Sequence, residues 1–269
     1  MAQTIETADK TPVSGTSWDY SKHAEFYQYR PNYAPKAIDM LVEYTGAKKT
    51  ADFKVADIGA GTGNLTMLLL ERGLNVTPVE PNDAMRKIGI DATKPYNIKW
   101  SDGTGTETGL ESNKYNWTTF GSSFNVIDRE LGLKEAHRIA PPPPQPAYFT
   151  CMWNHRNLSD PVQKTAEDVI EQFVPSYERG VRREDQRPFL EKHSALFKNI
   201  CYIELDFDVD RTIDEYILAW RSVKNKYWDL DTKEGQELFG KITRQMRKIL
   251  PSSFKIKYTT RAWTAEKAV

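Results

Sequence analysis

The residues of this chain best suited to binding a ligand lie between Phe53 and Glu80. Glycine occupies every second position of the turn formed by residues 59–63, which leaves the main chain open to close approach by a ligand. Asp57 stands two residues before this turn, and Glu80 follows the next apolar segment. A carboxylate at the end of a second strand can accept two hydroxyl hydrogen bonds from a ribose. The spacing therefore predicts a nucleotide site.

A β-α-β unit would position these residues. Residues 53–58 predict a short buried strand, 64–72 a helix with leucines on one face, and 74–79 a second strand. Because the carboxyl ends of parallel strands meet at one edge of a sheet, we expect the glycine turn and Glu80 to lie together there.

The alternation of strands and helices continues along the chain. It predicts an α/β fold, a Rossmann-like doubly wound sheet of seven strands with helices on both faces and an antiparallel last strand at the edge. The further strands are expected at 97–101, 115–121, 147–154, 202–209 and 254–260. The further helices are expected at 35–43, 128–139, 161–173, 185–197, 212–223 and 233–250.

The domain organisation is predicted from how composition and hydrophobic pattern change along the sequence. We expect a single domain over residues 1–269, because no internal repeat or sharp boundary interrupts it. Residues 1–17 are small and polar and are expected to be disordered. Residues 18–35 are expected to form a lid, and residues 156–197 a helical cap inserted over the site.

Composition narrows the class of protein. The 37 basic residues balance 37 acidic residues, which argues against a nucleic-acid or membrane surface as partner. Two cysteines are too few for a disulfide framework or a cysteine-based zinc site, so no metal is expected. With no signal peptide or long apolar run, a cytoplasmic enzyme is the expected location and class.

The glycine spacing separates two cofactors. Dinucleotide enzymes favour G-x-G-x-x-G, whereas here the pattern is acidic-x-G-x-G-x-G beginning at Asp57. In this the chain resembles the class I S-adenosylmethionine-dependent methyltransferases. Further segments are similar to motifs of the small-molecule type, in the ubiquinone-biosynthesis-like and trans-aconitate-methyltransferase-like group. These segments are residues 27–35, 80–85, 103–110, 124–128 and 153–156.

The resemblance implies S-adenosylmethionine as cofactor and S-adenosylhomocysteine as product. It implies a small-molecule acceptor, methylated on nitrogen or oxygen by direct displacement, with alignment and exclusion of water as the main contributions of the enzyme. Asp57 would serve as an indirect partner of the methionine ammonium group. The residues implied to bind the cofactor are Tyr29, Arg30, Asp57, Gly59, Ala60, Gly61, Gly63, Glu80, Pro81, Met85, Gly105, Thr106, Ser122 and Phe124.

Candidates for the acceptor site come from the strand ends and from an aromatic cluster before the first helix. His155 is the candidate general base, with a hydrogen-bonded loop histidine as the alternative. Tyr29 is a second catalytic candidate, in the acceptor pocket. The aromatic cluster either closes over the site or packs the first helix on the sheet. The residues expected to bind the acceptor are Tyr20, Phe26, Tyr33, Asn125, Trp153 and Arg156.

Three departures from the family pattern bear on these expectations. Thr106 stands where the adenine loop usually has an acid, so recognition of the adenine amino group would pass to backbone and hydroxyl groups. Asn125 replaces a histidine, which weakens any role for that position as a base. Four prolines at 141–144 replace a P-G-G turn before the fifth strand.

Other interpretations remain open at this point. A catalytically altered S-adenosylmethionine-binding or regulatory protein would keep the same fold. A nicotinamide oxidoreductase is disfavoured by the missing glycine. The arginines at 179, 182, 183 and 187 suit an anionic acceptor, but a solvated, locally paired surface is favoured there. Trp220, Tyr227 and Trp228 are most simply packing residues.

Overall fold

A computed structural model describes residues 21–50, 52–178, 184–223 and 226–268. The predictions made for residues 1–17, for Tyr20 and for the arginines at 179, 182 and 183 lie outside this part of the chain.

The described chain builds one sheet of six strands in the order β2-β1-β3-β4-β6-β5. The strands are β1 (Lys54–Ile58), β2 (Asn75–Val79), β3 (Trp117–Gly121), β4 (Tyr148–Arg156), β5 (Phe197–Thr212) and β6 (Ser253–Lys267). The first four strands pair in parallel, and β6 runs antiparallel to both β4 and β5. This is the doubly wound arrangement that the sequence predicts.

Helices cover both faces of the sheet. They are α1 (Pro35–Tyr44), α2 (Asn64–Leu70), α3 (Asp83–Thr93), α4 (Arg129–Ile139), α5 (Pro161–Phe173), α6 (Arg187–Lys192), α7 (Ile213–Arg221) and α8 (Lys233–Ile249). Side chains that precede the helices fix several of their starts. Asn82, Asp128 and Asp160 each accept a backbone N–H from the first turn of α3, α4 and α5.

Two apolar cores hold the helices on the sheet. Ile38 and Leu41 of α1 join Leu65 and Leu69 of α2 on one face, all buried at 3% exposure or less. On the other face, α4 and α6 pack on an aromatic group that includes Phe149. Burial of side chains of this size contributes about 1.5–3 kcal/mol each relative to exposure. These apolar residues recur with the period of a helix, so they lie on one face, and their burial holds each helix against the sheet.

A third cluster lies beyond the sheet proper. Strands β5 and β6 continue past the end of β4, and α5, α7 and α8 pack on this extension. Ile170, Trp220, Ile242 and Tyr258 form its centre, each with 6% exposure or less. These helices stand beside the carboxyl end of β4, where they can border a site.

The structure corrects four sequence predictions. Residues 97–101 form no extended strand: Asn97 ends the 3-10 helix Lys94–Tyr96 in a left-handed conformation with φ 50°, and the pairing with β2 is a bridge from Ser101 to Val79. The seventh strand is therefore a single bridge. Strand β6 is internal, not at the edge, because β5 pairs on its outer side. The helix expected over 185–197 is confined to α6, because β5 already begins at Phe197. Finally, the predicted strand lengths are too short: β4 ends two residues later than predicted, β5 runs over 197–212 instead of 202–209, and β6 runs over 253–267 instead of 254–260.

Strand β5 forms one edge of the sheet, and an acidic residue occupies every second position from 204 to 210. Asp208 and Asp210 stand opposite Lys257 and Lys255 of β6, and Glu204 stands opposite Arg261. Cross-strand pairs of opposite charge stabilise an antiparallel ladder.

Of the helices that the structure describes, none has the length and apolar character needed to cross a bilayer.

Candidate functional site

A cavity of about 650 Å³ opens at the carboxyl ends of β1, β3 and β4. This is the place where the chain order reverses around β1, and open α/β sheets bind ligands at such switch points. The glycine turn, Glu80 and the start of the loop after β3 form one half of the wall. The ends of β4 and α7, with the segment before α1, form the other half.

The glycine turn presents bare main chain to the cavity. Gly59 and Gly61 have φ of 66° and 59°, a region that L side chains rarely adopt. A Cβ on Gly59 would stand 2.5 Å from the Cβ of Ser123, so this position also admits no side chain. The backbone N–H groups of Gly59 and Ala60 donate to the carbonyl of Val79, which pins the turn to the end of β2.

Glu80 lies beside this turn, as its place after β2 predicts. Its carboxylate accepts hydrogen bonds from the backbone N–H of Gly61 (2.8 Å) and of Asn82 (2.9 Å). Burial raises the pKa of Glu80, although these two donors and Arg86 oppose the shift. Each carboxylate oxygen has more than one lone pair, so Glu80 can brace the turn and still accept from a ligand.

Asp57 is a fully buried acid at the floor of the cavity. The hydroxyl groups of Thr66 (2.6 Å) and Thr119 (3.0 Å) donate to it. Desolvation raises the pKa of Asp57 to about 6, and the two hydroxyl donors offset only part of that shift. Asp57 is therefore ionised near neutral pH at a cost in stability, which is the pattern of a group retained for its charge.

We expect this cost to appear in the pH dependence of stability. The pKa of Asp57 rises on folding from an ordinary 3.8 to about 6, so its contribution is favourable at acid pH and is lost as the pH rises through 6. A shift of this size corresponds to about 3 kcal/mol. In Asp57→Asn the loss is absent, so the difference in unfolding free energy between variant and wild type should grow in favour of the variant from pH 4 to pH 7. Urea denaturation measures it, and parallel pH curves for the two proteins would contradict the assignment.

The loop after Ser101 reaches the cavity through Gly105. A buried carboxylate shapes this loop: Glu135 of α4 accepts from the backbone N–H (2.9 Å) and the hydroxyl (2.5 Å) of Thr108. Arg138 donates to the same carboxylate. Gly105 itself lies against Ile127, where a Cβ would approach within 2.9 Å. Thr106 lies in the loop but outside the cavity wall, and its hydroxyl is 3.4 Å from that of Thr104.

The segment before α1 is tied down over the cavity. The side-chain amide of Asn154 donates to the carbonyls of Pro31 (3.1 Å) and Asn32 (3.0 Å). The hydroxyls of Tyr33 and Ser122 lie 3.0 Å apart at the wall. Ser122 has φ 61°, a conformation that costs a non-glycine residue about 1 kcal/mol or more. Strain of this kind concentrates at functional sites.

Arg30 fastens the same segment to α7. Its guanidinium donates to the hydroxyl (2.9 Å) and the carbonyl (2.7 Å) of Ser222, just past the helix, and lies 4.0 Å above the ring of Tyr27. A cation at the carboxyl end of a helix is stabilised by the helix dipole. Arg30 borders the cavity but its hydrogen bonds are to protein, so its expected bond to a cofactor carboxylate would have to be made in addition to these or in their place.

The half of the cavity remote from the glycine turn is aromatic and contains Arg156. The guanidinium of Arg156 lies 4.0 Å over the ring of Trp220 and donates to the hydroxyl of Tyr177 (2.8 Å). The carboxylate of Glu167, itself buried, is 3.3 Å away. Burial alone would lower the pKa of Arg156, but Tyr177, Tyr216 and Glu167 raise it overall. Arg156 is therefore a charged group held in a fixed position.

The structure brings most of the residues predicted from the sequence to this cavity. Those that border it are Arg30, Tyr33, Asp57, Gly59, Ala60, Gly61, Glu80, Pro81, Met85, Gly105, Ser122, Asn125, His155 and Arg156. Their roles toward a ligand remain predictions.

Several predicted residues lie elsewhere. Phe124 and Trp153 are buried in the aromatic core, and Trp153 donates to Asn125 (2.8 Å) and so orients it. Phe26 lies in the 3-10 helix Ser21–Tyr29, under Arg221 and outside the cavity wall. Tyr29 ends this helix and does not border the cavity either. Gly63 begins α2 next to the turn and is likewise set back from the wall.

Sequence reasoning missed most of the aromatic wall. Tyr177, Tyr216, Trp220, Tyr227 and Tyr258 border the cavity without having been expected there, whereas Tyr27 belongs to the aromatic cluster before the first helix that was expected at the site. The sequence interpretation took Trp220 and Tyr227 for packing residues, and they do belong to the third cluster as well. The available signal was the density of aromatic residues in the segments that follow β4 and β5, but spacing along the chain does not predict which of them meet.

The arrangement can hold a polar nucleoside at one end and a flat apolar molecule at the other. The first half offers bare backbone and the carboxylates of Asp57 and Glu80, which suit hydroxyl and ammonium donors. The second half offers aromatic faces and a fixed guanidinium. His155 stands at the junction, at the end of β4. In the part of the chain that the structure describes, no group of acids, histidines and cysteines is arranged to hold a metal ion.

Comparisons with known proteins agree with this picture. Residues 56–142 match a protein family described as a methyltransferase domain. An uncharacterized methyltransferase of Mycobacterium tuberculosis strain H37Rv is 32% identical over 128 residues, which are 48% of this chain and 48% of the relative. An uncharacterized methyltransferase of Staphylococcus carnosus is 36% identical over 86 residues, or 31% of this chain and 38% of the relative. The chain thus spans about half the length of its mycobacterial relative.

Solved structures share the fold at low identity. The YcgJ protein of Bacillus subtilis superposes with a TM-score of 0.54 and 13% identity, covering 88% of this chain and 100% of that one. A protein from Anaeromyxobacter dehalogenans, provisionally assigned as a type II methyltransferase, gives a TM-score of 0.53 at 14% identity, with 88% and 97% covered. These likenesses establish a Rossmann-like fold.

Proposed function

We propose that this chain, whose residues 56–142 match a methyltransferase domain, transfers a methyl group from S-adenosylmethionine to a nitrogen or oxygen of a small molecule. The observation that carries the proposal is the pairing of Glu80 with the main chain of Gly61 at the wall of the cavity. A bare turn and a ribose-binding acid, held together at a switch point of the sheet, fit a nucleoside without phosphates.

The cavity residues fit the functional groups of this cofactor. Glu80 would accept the two ribose hydroxyls, and the Gly59–Gly61 turn would lie against the methionine part. Asp57, ionised at neutral pH, would attract the ammonium group of the cofactor from the floor of the cavity. Gly105, on the loop held by Glu135, would border the adenine. When bound, S-adenosylmethionine supplies an electrophilic methyl group on a sulfonium.

The contribution of the protein would be alignment and exclusion of water. Transfer to a neutral acceptor disperses positive charge, so a dry, aromatic-walled cavity favours the transition state. The segment 21–33, fastened by Arg30 to Ser222 and by Asn154 to Pro31, closes one side of the cavity against water. Holding the acceptor in line is the largest effect that such a site can exert.

A base is needed only if the acceptor must lose a proton. His155 borders the cavity at the end of β4, and its imidazole would take that proton. Asn125 is fixed by Trp153 and has no basic group, so it would serve to position the acceptor through its amide. His155→Gln should then lower kcat for a hydroxyl or ammonium acceptor and leave cofactor affinity unchanged.

Binding measurements test the proposal directly. We expect S-adenosylmethionine and S-adenosylhomocysteine to bind in calorimetry with micromolar affinity or better, while NADH binds with neither heat nor a change in its fluorescence. Failure of both sulfur nucleosides to bind at millimolar concentration would refute the proposal. Binding of both, with no S-adenosylhomocysteine formed in the presence of any metabolite pool, would instead indicate a regulatory protein on the same fold.

A further inference from the structure

Glu135 is a buried charge outside the cavity wall. It lies in α4 with 9% of its side chain exposed, and it does not border the cavity. Burying a carboxylate costs free energy unless its partners compensate for the lost water. The helix itself is held on the sheet by apolar residues such as Leu133 and Ile139, so its packing does not require this charge. The role of Glu135 must therefore lie in what its carboxylate binds.

The carboxylate of Glu135 is shared between a loop and an arginine. The backbone N–H (2.9 Å) and the hydroxyl (2.5 Å) of Thr108 donate to its Oε1. Arg138 donates to both carboxylate oxygens, at 2.7 Å each. Burial alone would raise the pKa of Glu135, but the bonds from Arg138 and Thr108 lower it overall. The carboxylate is therefore ionised, and its hydrogen bonds to Thr108 are charge-assisted, which makes them stronger than neutral ones.

Arg138 binds the far end of the same loop. Its guanidinium also donates to the carbonyl of Leu110 (2.9 Å) and to the hydroxyl of Ser112 (2.8 Å). Glu135 and Arg138 stand three residues apart on α4, so they are neighbours on one side of the helix. A single turn of α4 thus holds both the middle and the end of this loop.

Residues 103–108 of the loop form one compact unit. The backbone N–H of Thr104 donates to the carbonyl of Glu107 (2.9 Å), and the N–H of Glu107 donates to the hydroxyl of Thr104 (3.0 Å). A Cβ on Gly103 would stand 2.1 Å from the carbonyl oxygen of Thr108, so these two stretches of main chain are in close contact. A shift of Thr108 would therefore move the unit as a whole.

Gly105 is the residue of this unit that borders the cavity. Thr106 lies outside the wall, so a base bound here would meet main chain and not an acidic side chain. Hydrogen bonds weaken steeply when their distance or angle departs from the optimum. Main-chain groups cannot correct such an error by changing rotamer, as a side chain can. Selection of a base at this wall therefore depends on where the loop is held.

We propose that Glu135 is a positioning residue for base selection, which holds the main chain at Gly105, through Thr108, where it distinguishes adenine from hypoxanthine. The identity of the ligand as an adenine nucleoside rests on the proposed function, whereas the role of Glu135 rests on the contacts of its carboxylate. Adenine presents an acceptor nitrogen beside a donor amino group, and hypoxanthine reverses both. Groups placed to pair with one base are left unpaired by the other, which is how a hydrogen-bonding site rejects a ligand of nearly the same shape.

S-adenosylhomocysteine and S-inosylhomocysteine differ in this base edge, and calorimetric titration with each measures the selection. We expect the wild-type protein to bind the adenine compound about tenfold or more tightly than the hypoxanthine compound. In Glu135→Ala this preference should fall by about threefold or more, because Thr108 loses its acceptor and the loop moves away from the base. A role limited to stability would weaken both ligands alike in the folded protein and leave the preference unchanged.

Two further variants assign the effect to the position of the loop. Glu135→Gln keeps an acceptor for Thr108 and the shape of the side chain, which protects the fold, so its preference should lie between those of the wild type and Glu135→Ala. Glu130→Ala is the matched control, because Glu130 is an acid of the same helix that pairs with Lys134 and does not border the cavity. It should keep the full preference.

The outcomes separate this inference from the proposed function. Binding of neither compound by the wild type would refute both. If S-adenosylhomocysteine binds but is not preferred, base selection at Gly105 is wrong. If the preference exists and persists undiminished in folded Glu135→Ala, or in Glu135→Gln where the alanine variant does not fold, Glu135 does not position the loop for the base, and the proposed function stands without it.

Discussion

Replacing Glu80 by alanine should weaken S-adenosylhomocysteine binding by about 2–4 kcal/mol, roughly 30- to 1000-fold. Two charge-assisted hydrogen bonds to the ribose would be lost. The same change also removes the acceptor for the N–H groups of Gly61 and Asn82, so the turn loses its brace. Calorimetric titration measures the affinity, and urea denaturation measures the accompanying loss of stability, which we expect to be about 1–2 kcal/mol.

Two further variants separate these effects. Glu80→Gln keeps one acceptor oxygen of the same shape, so it should lose less affinity than Glu80→Ala. Glu71→Ala, at the exposed carboxyl end of α2 and outside the cavity wall, removes an acid of the same charge and should change affinity less than twofold. An affinity for S-adenosylhomocysteine that stays unchanged in Glu80→Ala would mean that the ribose lies elsewhere.

Replacing Gly61 by valine should abolish measurable cofactor binding, a loss of at least 100-fold. The new side chain would stand where the backbone must approach the ligand, and its Cβ would come within 3.2 Å of Met85 Cε. The positive φ of Gly61 adds strain of about 1–3 kcal/mol for any β-branched residue. Calorimetry on the folded variant, with circular dichroism to establish folding, measures the effect.

Gly46 provides a matched control. It has φ 64°, almost the value at Gly61, but a Cβ there would meet nothing within 4 Å, and it lies outside the cavity wall. Gly46→Val should therefore lose a similar amount of stability and bind S-adenosylhomocysteine normally. If both variants lose binding equally, backbone strain is the cause and the close approach at Gly61 is wrong. Normal turnover in Gly61→Val would contradict the placement of the turn in the site.

The cofactor half of the site could be predicted from the sequence because its parts are close along the chain. Strand β1, the glycine turn, α2 and β2 follow one another without interruption, and each has a clear local pattern. The position of Glu80 beside Gly61 then follows from the parallel pairing of β1 with β2. Asp57 at the floor follows from its place in a buried strand.

The acceptor half could not be predicted in the same way. Arg156 was expected there from its place after the fifth strand, but Tyr177, Trp220 and Tyr258 come from the segment after α5, from α7 and from β6, and they meet only after the whole chain has packed. The strand errors have a similar origin. Nothing local in 253–267 shows that β6 inserts between β4 and β5, since edge and internal strands differ in what they pair with and not in their own alternation. Likewise, the residue types of 97–101 do not show that the pairing there is limited to one bridge, between Ser101 and Val79.

The order of strands in the sheet also has a consequence during synthesis. Strand β5 pairs only with β6, which follows it by some forty residues, so β5 emerges from the ribosome before its partner exists. A strand of 16 residues left unpaired is a hazard for self-association. Its acids at 204, 206, 208 and 210 repel a second nascent copy of the same strand, and in the folded sheet two of them stand opposite lysines of β6. The acids of β5 thus oppose self-association of the chain during synthesis, before they face the basic residues of β6 in the folded sheet.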